Sequence, residues 1–428
     1  MLSNSSFKKI ASNFGWLFSD NLIKNGVGAV VGIWVARHLG PELFGIYSYA
    51  IIFASFFSAF VGLGFHKIIV REISKDATKS KSLIGTSFYS MLITGALLMI
   101  LCPLTLKLMR PDDSLTLTLV SIMSIGFMLQ AFHSLSYYFE ATTDMKKVVW
   151  ASNTSFFIGV VIKFFAIYFN ASLHWFVLAT MIDLALASLF LLFFIPKKIG
   201  SLSGLSFDKN IAVSILKDAY PLIISVFAVK IYADIDQIMI RDLFNAEETG
   251  KYAIAVKISR IWSFIPSAIF VSVFPNLNET KKVNEKLYKE KLQKLYKFVV
   301  FISYIVAIVT TFSSSIILPY LLGSGYNDSS FLLNILIWSS LFASLGGART
   351  LFLLSENMTR IYMMTVVIGC ILNIVLNFIF IPKYGGVAAC VTTLITTFVA
   401  GIGLNFFIPR LKETGIMQIK SLFFPKFW

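Results

Sequence analysis

Lys230, Asp234, Gln237 and Arg241 recur at three- and four-residue steps in KIYADIDQIMIRD, residues 230–242. At about 100° per residue they fall on one stripe of a helix, with Asp236 turned away from it. The sequence around them is apolar enough to cross a bilayer, where an ionisable side chain is costly and normally faces a bundle interior or a wet cavity. Other apolar stretches repeat the pattern. Asn13, Asp20 and Lys24 share a face, with Asn21 and Asn25 beside it; Arg260 and Ser267 share another, flanked by Lys257 and Ser263. Lys163 aligns with Asn170, Gln130 with His133 and Tyr137, and Asn373 with Asn377, while Arg349 stands in the inner part of its own apolar run. Within these runs the six cations Lys24, Lys163, Lys230, Lys257, Arg260 and Arg349 outnumber the four anions Asp20, Asp183, Asp234 and Asp236. A cavity lined in this way attracts an anion, and its amides and hydroxyls suit the hydroxyls of a sugar.

Plainer readings compete. Asp20–Lys24 and Lys230–Asp234 are i, i+4 pairs that can simply neutralise each other. Single Ser, Thr or Asn residues in a span often only join helices. Arg260 and Lys257 have no acid nearby on their own helix, which points to an external anion or to Asp236 on the neighbouring span. Asp20 and Asp234 suit coupling to an ion gradient, since protonation would release their paired lysines.

The elements that must position these residues follow from composition. The chain of 428 residues is 57% hydrophobic and 14% charged, with a mean hydropathy of +0.78. A soluble domain is about 45–50% apolar and about 25% charged, so an all-α polytopic membrane protein is expected. Apolar runs of about 20 residues or more fall at 11–36, 42–66, 83–108, 114–139, 149–169, 174–195, 217–240, 250–275, 297–320, 329–354, 361–381 and 387–408. The first run follows a basic pair but lacks a small-residue cleavage motif, so it reads as a retained span.

Of the 37 Lys and Arg, 25 fall on one side of these twelve spans, 6 on the other and 6 within them. That asymmetry places both termini in the cytoplasm and explains the net charge of +15 without nucleic acid. The outer loops are too short for a folded catalytic domain. The inner stretches VREISKDATKSKSL and KKVNEKLYKEKLQKLYK read as amphipathic helices on an anionic leaflet, and SLFFPKFW as an interfacial anchor. Cys102, Cys370 and Cys390 lie far apart in apolar runs, and the four histidines make no ligand spacing; neither a disulfide framework nor a metal site is indicated. No phosphate-binding loop appears, so no nucleotide cofactor is expected.

The chain also repeats itself. R37-HLGPELF-G45-I-Y47-SYA50 and R241-DLFNAEET-G250-K-Y252-AIA255 both run Arg-x-Leu, acidic turn, Gly-x-Tyr-x-x-Ala. Two parallel six-span halves result, 1–200 and 201–428, joined through the Pro-, Gly- and Ser-bearing stretch 196–217.

ARHLGPELFGIYSYA at 36–50 resembles the polysaccharide-biosynthesis transporter family, the Wzx-type O-antigen flippases of the multidrug/oligosaccharidyl-lipid/polysaccharide exporter superfamily. Arg37, Leu39, Gly40, Pro41, Phe44, Gly45 and Tyr47 all fit its pattern. GLGFHKIIVREIS at 62–74 resembles the following inner loop, and ADIDQIMIRDLFNAEETGKYAIAVKI the seventh-to-eighth span signature, with Asp236 at the family's acidic position. The resemblance implies two six-helix bundles of MATE-like architecture around a central cavity. It implies movement of an undecaprenyl-diphosphate-linked oligosaccharide from the cytoplasmic to the periplasmic leaflet of a bacterial inner membrane. With no nucleotide motif, alternating access coupled to protons or sodium through Asp20, Asp234 and Asp236 is the expected scheme, with the membrane potential alone as the alternative; contact with the polysaccharide polymerase and chain-length machinery is a further expectation. The alternatives are a cation-coupled multidrug exporter of the same superfamily, which would want acids rather than bases in its spans, and a membrane polymerase or ligase, which would need a larger outer loop.

Overall fold

A computed structural model describes residues 4–62, 64–195 and 199–425. The side chain of Asn13, Pro196, Lys197 and Lys198 of the 196–217 stretch, and the last three residues of SLFFPKFW lie outside the described residues. The rest is helical, with no strand among the described residues. In lipid, a helix satisfies every backbone N–H and C=O within its own segment, which is why such apolar runs adopt it.

In chain order the helices are α1 (Asn4–Val61), α2 (Phe65–Lys75), α3 (Ser80–Met109), α4 (Ser114–Leu129), α5 (Ser136–Ala141), α6 (Lys146–Tyr168) and α7 (Leu173–Phe193). They continue with α8 (Lys209–Leu243), α9 (Ala246–Ile261), α10 (Phe264–Val283), α11 (Glu285–Leu322), α12 (Asn327–Ser355), α13 (Thr359–Gly401) and α14 (Lys412–Phe423). Nine segments among the described residues are long and apolar enough to cross a membrane, against twelve separate spans expected. The difference has a physical origin. α1 runs through the first two expected spans and α13 through the last two, each interrupted only by one glycine: Gly40 at φ 72° and Gly385 at φ 54°. Glycine takes that left-handed conformation without a Cβ penalty, so two spans are joined with no loop. The 35-residue α8 covers the seventh expected span.

The eighth expected span lies in one apolar segment, Ala246–Val283, that carries a local turn. Pro266 has no amide hydrogen, and in an unbroken helix its ring would clash with the carbonyl of Trp262 four residues back. The chain accordingly turns at Trp262–Ser263 between α9 and α10. The fourth span changes pitch: a 3₁₀ segment, Gln130–Leu135, separates α4 from α5.

Two compact units result. The first comprises Met1–His38 and Ile46–Phe227, the second Leu39–Gly45 and Ala228–Trp428. The division falls inside α8, at 227/228, later than the 200/201 boundary expected from the linker-like composition. The first part of α8 belongs with the first unit because its side chains pack there: Ala219 and Ile223 lie against Gly64, and the Phe227 ring lies 4.5 Å from that of Phe60. In the first unit α3 packs on α4, α6 on α7 and α4 on α7. In the second, α12 packs against α9, α11 and α13, and α14 folds back on α11. Its apolar core includes Leu292, Tyr296, Val300, Leu345 and Met417.

The glycines of the two Gly-x-Tyr copies, Gly45 and Gly250, meet within the second unit. A Cβ on Gly45 would lie 1.9 Å from the Ala246 carbonyl oxygen, and a Cβ on Gly250 would lie 1.9 Å from that of Pro41. Ala246 and Pro41 each stand four residues before the glycine of their own copy, so the contact is reciprocal, as between symmetry mates.

The amphipathic inner stretches are helical. α2 buries Phe65, Ile68, Ile69 and Ile73. Beyond it Asp76 accepts from the N–H and hydroxyl of Thr78, which holds its carboxyl below its ordinary value. KKVNEKLYKEKLQKLYK spans the end of α10 and the start of α11, which begins twelve residues before the ninth expected span and is capped by the Asn284 side chain on the Leu287 N–H.

Candidate functional site

The turn in the eighth span sets the site. Arg260 lies in the last turn of α9, and its carbonyl accepts from both the N–H of Ser263, at 3.1 Å, and the Ser263 hydroxyl, at 2.7 Å. The guanidinium reaches back to α8, where Nη1 donates to Asp234 Oδ1 at 2.8 Å and Nη2 to the Ala233 carbonyl at 2.5 Å. Lys230, one turn earlier on α8, donates to the other oxygen of Asp234 at 2.6 Å. One carboxylate therefore holds two cations, and the cluster keeps a net positive charge. Asp234 is nearly buried, while half of the Arg260 side chain is exposed. Such a pair is costly to take from water and asks for further compensation, which an anion arriving at Arg260 would provide.

The rival partner expected for Arg260, Asp236, is engaged elsewhere. Two residues turn a helix by about 200°, so Asp236 faces a different neighbour from Asp234. Its Oδ2 accepts from the hydroxyls of Tyr252 and Thr393, each at 2.7 Å, and its Oδ1 from the Asn377 amide at 2.6 Å. Asn377 in turn donates to Asn373 at 3.1 Å and accepts from the Thr392 hydroxyl. Tyr252 is the tyrosine of the second Gly-x-Tyr copy, so the repeated motif also supplies a ligand to the buried acid.

Arg260 and Asp236 line a cavity of about 620 Å³ within the second unit. Its wall is rich in hydroxyls: Ser259, Ser263 and Ser267 at four-residue steps across the α9–α10 break, Ser339, Ser340 and Ser344 on α12, Ser303 on α11, and Thr393 and Thr397 on α13. Tyr232, Trp262, Phe270 and Tyr362 add aromatic surface. Ser259, Ser263, Ser267, Ser339 and Ser340 each donate to a carbonyl of their own helix or turn. Their oxygens remain as acceptors, suited to a guest that presents O–H or N–H groups.

The other expected site residues are placed differently. Arg349 is 3% exposed. It donates to Asn405 Oδ1 at 2.8 Å and Thr365 Oγ1 at 3.0 Å and does not line the cavity. Its amide partner Asn405 donates to Gln418 on α14 at 2.6 Å, so Arg349 belongs to a polar network that fastens the C-terminal helix. Lys257 is half-buried on α9 and is likewise absent from the cavity wall. In the first unit Lys24 pairs with Asp20 at 3.0 Å and with the Ser152 hydroxyl. Lys163 is half-buried on α6.

The sequence offers Tyr252 only as part of the repeated motif, and it gives no sign of Thr393, Thr397 and most of the serines as site residues. Thr393 and Thr397 are four residues apart, as are Ser340 and Ser344, but inside strongly apolar runs small hydroxyls read as helix-joining residues.

A family model described as polysaccharide biosynthesis protein matches residues 10–281, more than half the chain. The capsular polysaccharide biosynthesis protein CapF of Staphylococcus aureus is 22% identical over 412 residues, a match covering 94% of this chain and 100% of CapF. An uncharacterized membrane protein of Methanocaldococcus jannaschii is 23% identical over 416 residues, covering 93% of this chain and 97% of that one. Among solved structures, lipid II flippase MurJ in an inward closed conformation matches with a TM-score of 0.73 at 16% identity, covering 96% of this chain and 91% of MurJ. A multidrug resistance MATE family transporter of the MOP superfamily, inward-facing, matches with a TM-score of 0.72 at 14% identity, covering 94% of this chain and 95% of its own. At these identities the likeness is one of fold: an all-helical, multi-pass, MATE-like membrane architecture.

Proposed function

The chain belongs to the polysaccharide biosynthesis protein family, and from that premise we propose that it is a flippase for an undecaprenyl-diphosphate-linked oligosaccharide. The cargo passes from the cytoplasmic to the periplasmic leaflet of a bacterial inner membrane by alternating access. The observation that carries this reading is the Lys230–Asp234–Arg260 cluster at the edge of a hydroxyl-lined cavity. A diphosphate finds there a guanidinium with its matching fork of donors. The glycan finds serine oxygens to accept from its hydroxyls, while the isoprenoid tail stays in lipid. Lys24, Lys163, Lys257 and Arg349 contribute positive charge within the spans rather than direct contact in the second unit's cavity.

Coupling falls to the carboxylates. Protonation of Asp234 would release Lys230 and Arg260 together, and protonation of Asp20 would release Lys24. Asp236, ringed by amide and hydroxyl groups, offers a place for a proton or a sodium ion. The membrane potential also favours export: two negative charges moving outward gain about 4–5 kcal/mol at 100 mV. The names of a sequence relative, the capsular polysaccharide biosynthesis protein CapF, and of a structure of the same fold, lipid II flippase MurJ, support the choice of cargo. A multidrug exporter of the same fold is the second reading; the excess of bases over acids in the spans disfavours it.

The test is the fate of the lipid-linked repeat unit in a strain lacking this chain. Single units accumulating on the inner leaflet, with surface polysaccharide lost, mark a missing flippase. Single units that reach the surface but never lengthen would mark a polymerase and overturn the proposal. An unchanged surface polysaccharide with raised drug sensitivity would favour the exporter.

A further inference from the structure

The first unit holds a second cavity, of about 380 Å³, of a different chemical character. It lies where the fourth span changes pitch. Six residues give it its chemistry: Ser58 of α1, Met91 of α3, Gln130 and His133 of the 3₁₀ segment, Tyr137 of α5 and Ser188 of α7. No Asp, Glu, Lys or Arg is among the lining residues.

The polar groups there are only partly used. Among the described residues Gln130 exchanges hydrogen bonds with Ser58 alone, Nε2 to Oγ at 2.9 Å and Oγ to Oε1 at 3.2 Å, out of the four a carboxamide can make. The Tyr137 hydroxyl, on a buried ring, has the Met91 sulfur at 3.8 Å as its partner, and a thioether is a weak acceptor. His133 meets the Ser136 hydroxyl through Nδ1 at 3.3 Å, and among the described residues its Nε2 has no hydrogen-bond partner. The single Ser188 hydroxyl proton lies between the Leu184 carbonyl at 2.8 Å and the Leu129 carbonyl at 3.2 Å, which leaves its oxygen as an acceptor. The rings of His133 and Tyr137 meet edge to face at 6.1 Å. Glu140, on the same helix as Tyr137, is not among the lining residues and is taken up by His66 at 2.6 Å.

An amide, a phenol, an imidazole nitrogen and serine oxygens that want partners, beside aromatic edges and without fixed charge, match one kind of guest. It must present several hydroxyls around an apolar ring face and carry no ionised group. Small-molecule sites occupy about 300–1,000 Å³, and this one is near the lower end, room for one ring rather than a chain. We propose that the first-unit cavity binds a single uncharged monosaccharide ring, held by Gln130, His133 and Tyr137. The choice of a sugar rests on the glycan cargo proposed above; the binding itself requires no transport.

The test uses the full chain in lipid nanodiscs and saturation-transfer NMR with methyl glycosides of neutral hexoses and N-acetylhexosamines, with methyl glucuronide as the charged comparison. The expected result is saturable binding of a neutral glycoside that weakens at least tenfold in Tyr137→Phe and in Gln130→Leu and persists in Arg260→Ala. Tyr137→Phe removes one oxygen and keeps the ring, so it decides the matter if Gln130→Leu does not fold. The proposal is overturned if no neutral glycoside binds saturably, if binding survives Tyr137→Phe, or if the glucuronide binds more tightly than its neutral counterpart. Loss of binding in Arg260→Ala would move the sugar site to the second unit and also overturn it. Because no readout depends on flipping, a failed transport assay with intact glycoside binding would sink the flippase reading and leave this one standing.

Discussion

Asp234 illustrates how a single carboxylate can organise a membrane site. With Lys230 on one oxygen and Arg260 on the other, neither cation is free to wander, yet the sum stays positive. Replacing Arg260 with Ala should reduce transport at least tenfold in an assay of lipid-linked glycan translocation, while Asp234 keeps Lys230 and the protein still folds. Lys230→Ala should cost less, because the guanidinium that faces the cavity remains. Asp236 behaves differently. Its three donors are satisfied only by acceptor oxygens, and Asp236→Asn would turn an NH₂ toward at least one of them. An unmade buried hydrogen bond costs about 1–3 kcal/mol, so the melting temperature of Asp236→Asn should fall, and Asp236→Ala should fall further. Equal melting temperatures for all three proteins would contradict the nest as described. The sequence made the stripe of Lys230 and Asp234 legible because helical spacing is fixed by the backbone. It left the partner of Arg260 open, because which acid a guanidinium meets depends on how two helices are rotated against each other. The structure resolves this in favour of Asp234.

At the scale of elements, the departures from a plain spanning helix coincide with the polar sites. The α9–α10 turn sits beside Arg260, and the 3₁₀ segment of the fourth span carries Gln130 and His133. Interrupted helices are tolerated at membrane depth where the backbone is bonded again or lines a cavity; here backbone turns re-bond the Arg260 and Trp262 carbonyls, and the Ser263 and Ser188 hydroxyls add bonds to Arg260 and Leu129. Pro266→Ala should let α9 and α10 run together. Thermal stability should then hold or rise while transport falls, because Arg260 and Ser267 would be carried to new angles about the axis; unchanged transport would show that the break positions nothing. Pro266 was visible in the sequence but lay in a run apolar enough to be read straight through. The opposite error came at Gly40 and Gly385, where a change of span was expected to need a loop and one residue of positive φ was enough. The hydroxyl wall stayed hidden for a third reason: serine and threonine bonded to their own helix look the same in sequence whether they face lipid, a neighbour or a cavity.

For the whole molecule, two short motifs half a chain apart in the sequence come together in space at their glycines. Their glycines meet across a backbone-to-backbone contact in which each faces the carbonyl oxygen four residues before the other. Gly45→Ala or Gly250→Ala should therefore lower stability by at least the roughly 1–3 kcal/mol of ordinary overpacking, since the obstacle is main chain and no rotamer can move it aside. Thermal melting of the purified variants checks this, with Gly62→Ala, where a Cβ meets nothing within 4 Å, as the comparison that should change little. The same contact bears on heredity. When a bulky residue damages an ordinary interface, a second mutation can often restore the fit by shrinking its partner. Here both partners already have the smallest side chain there is, so neither copy can compensate for a change in the other. A selection for revertants of Gly45→Ala should return the original codon or distant changes that shift a helix, and never a substitution at Gly250.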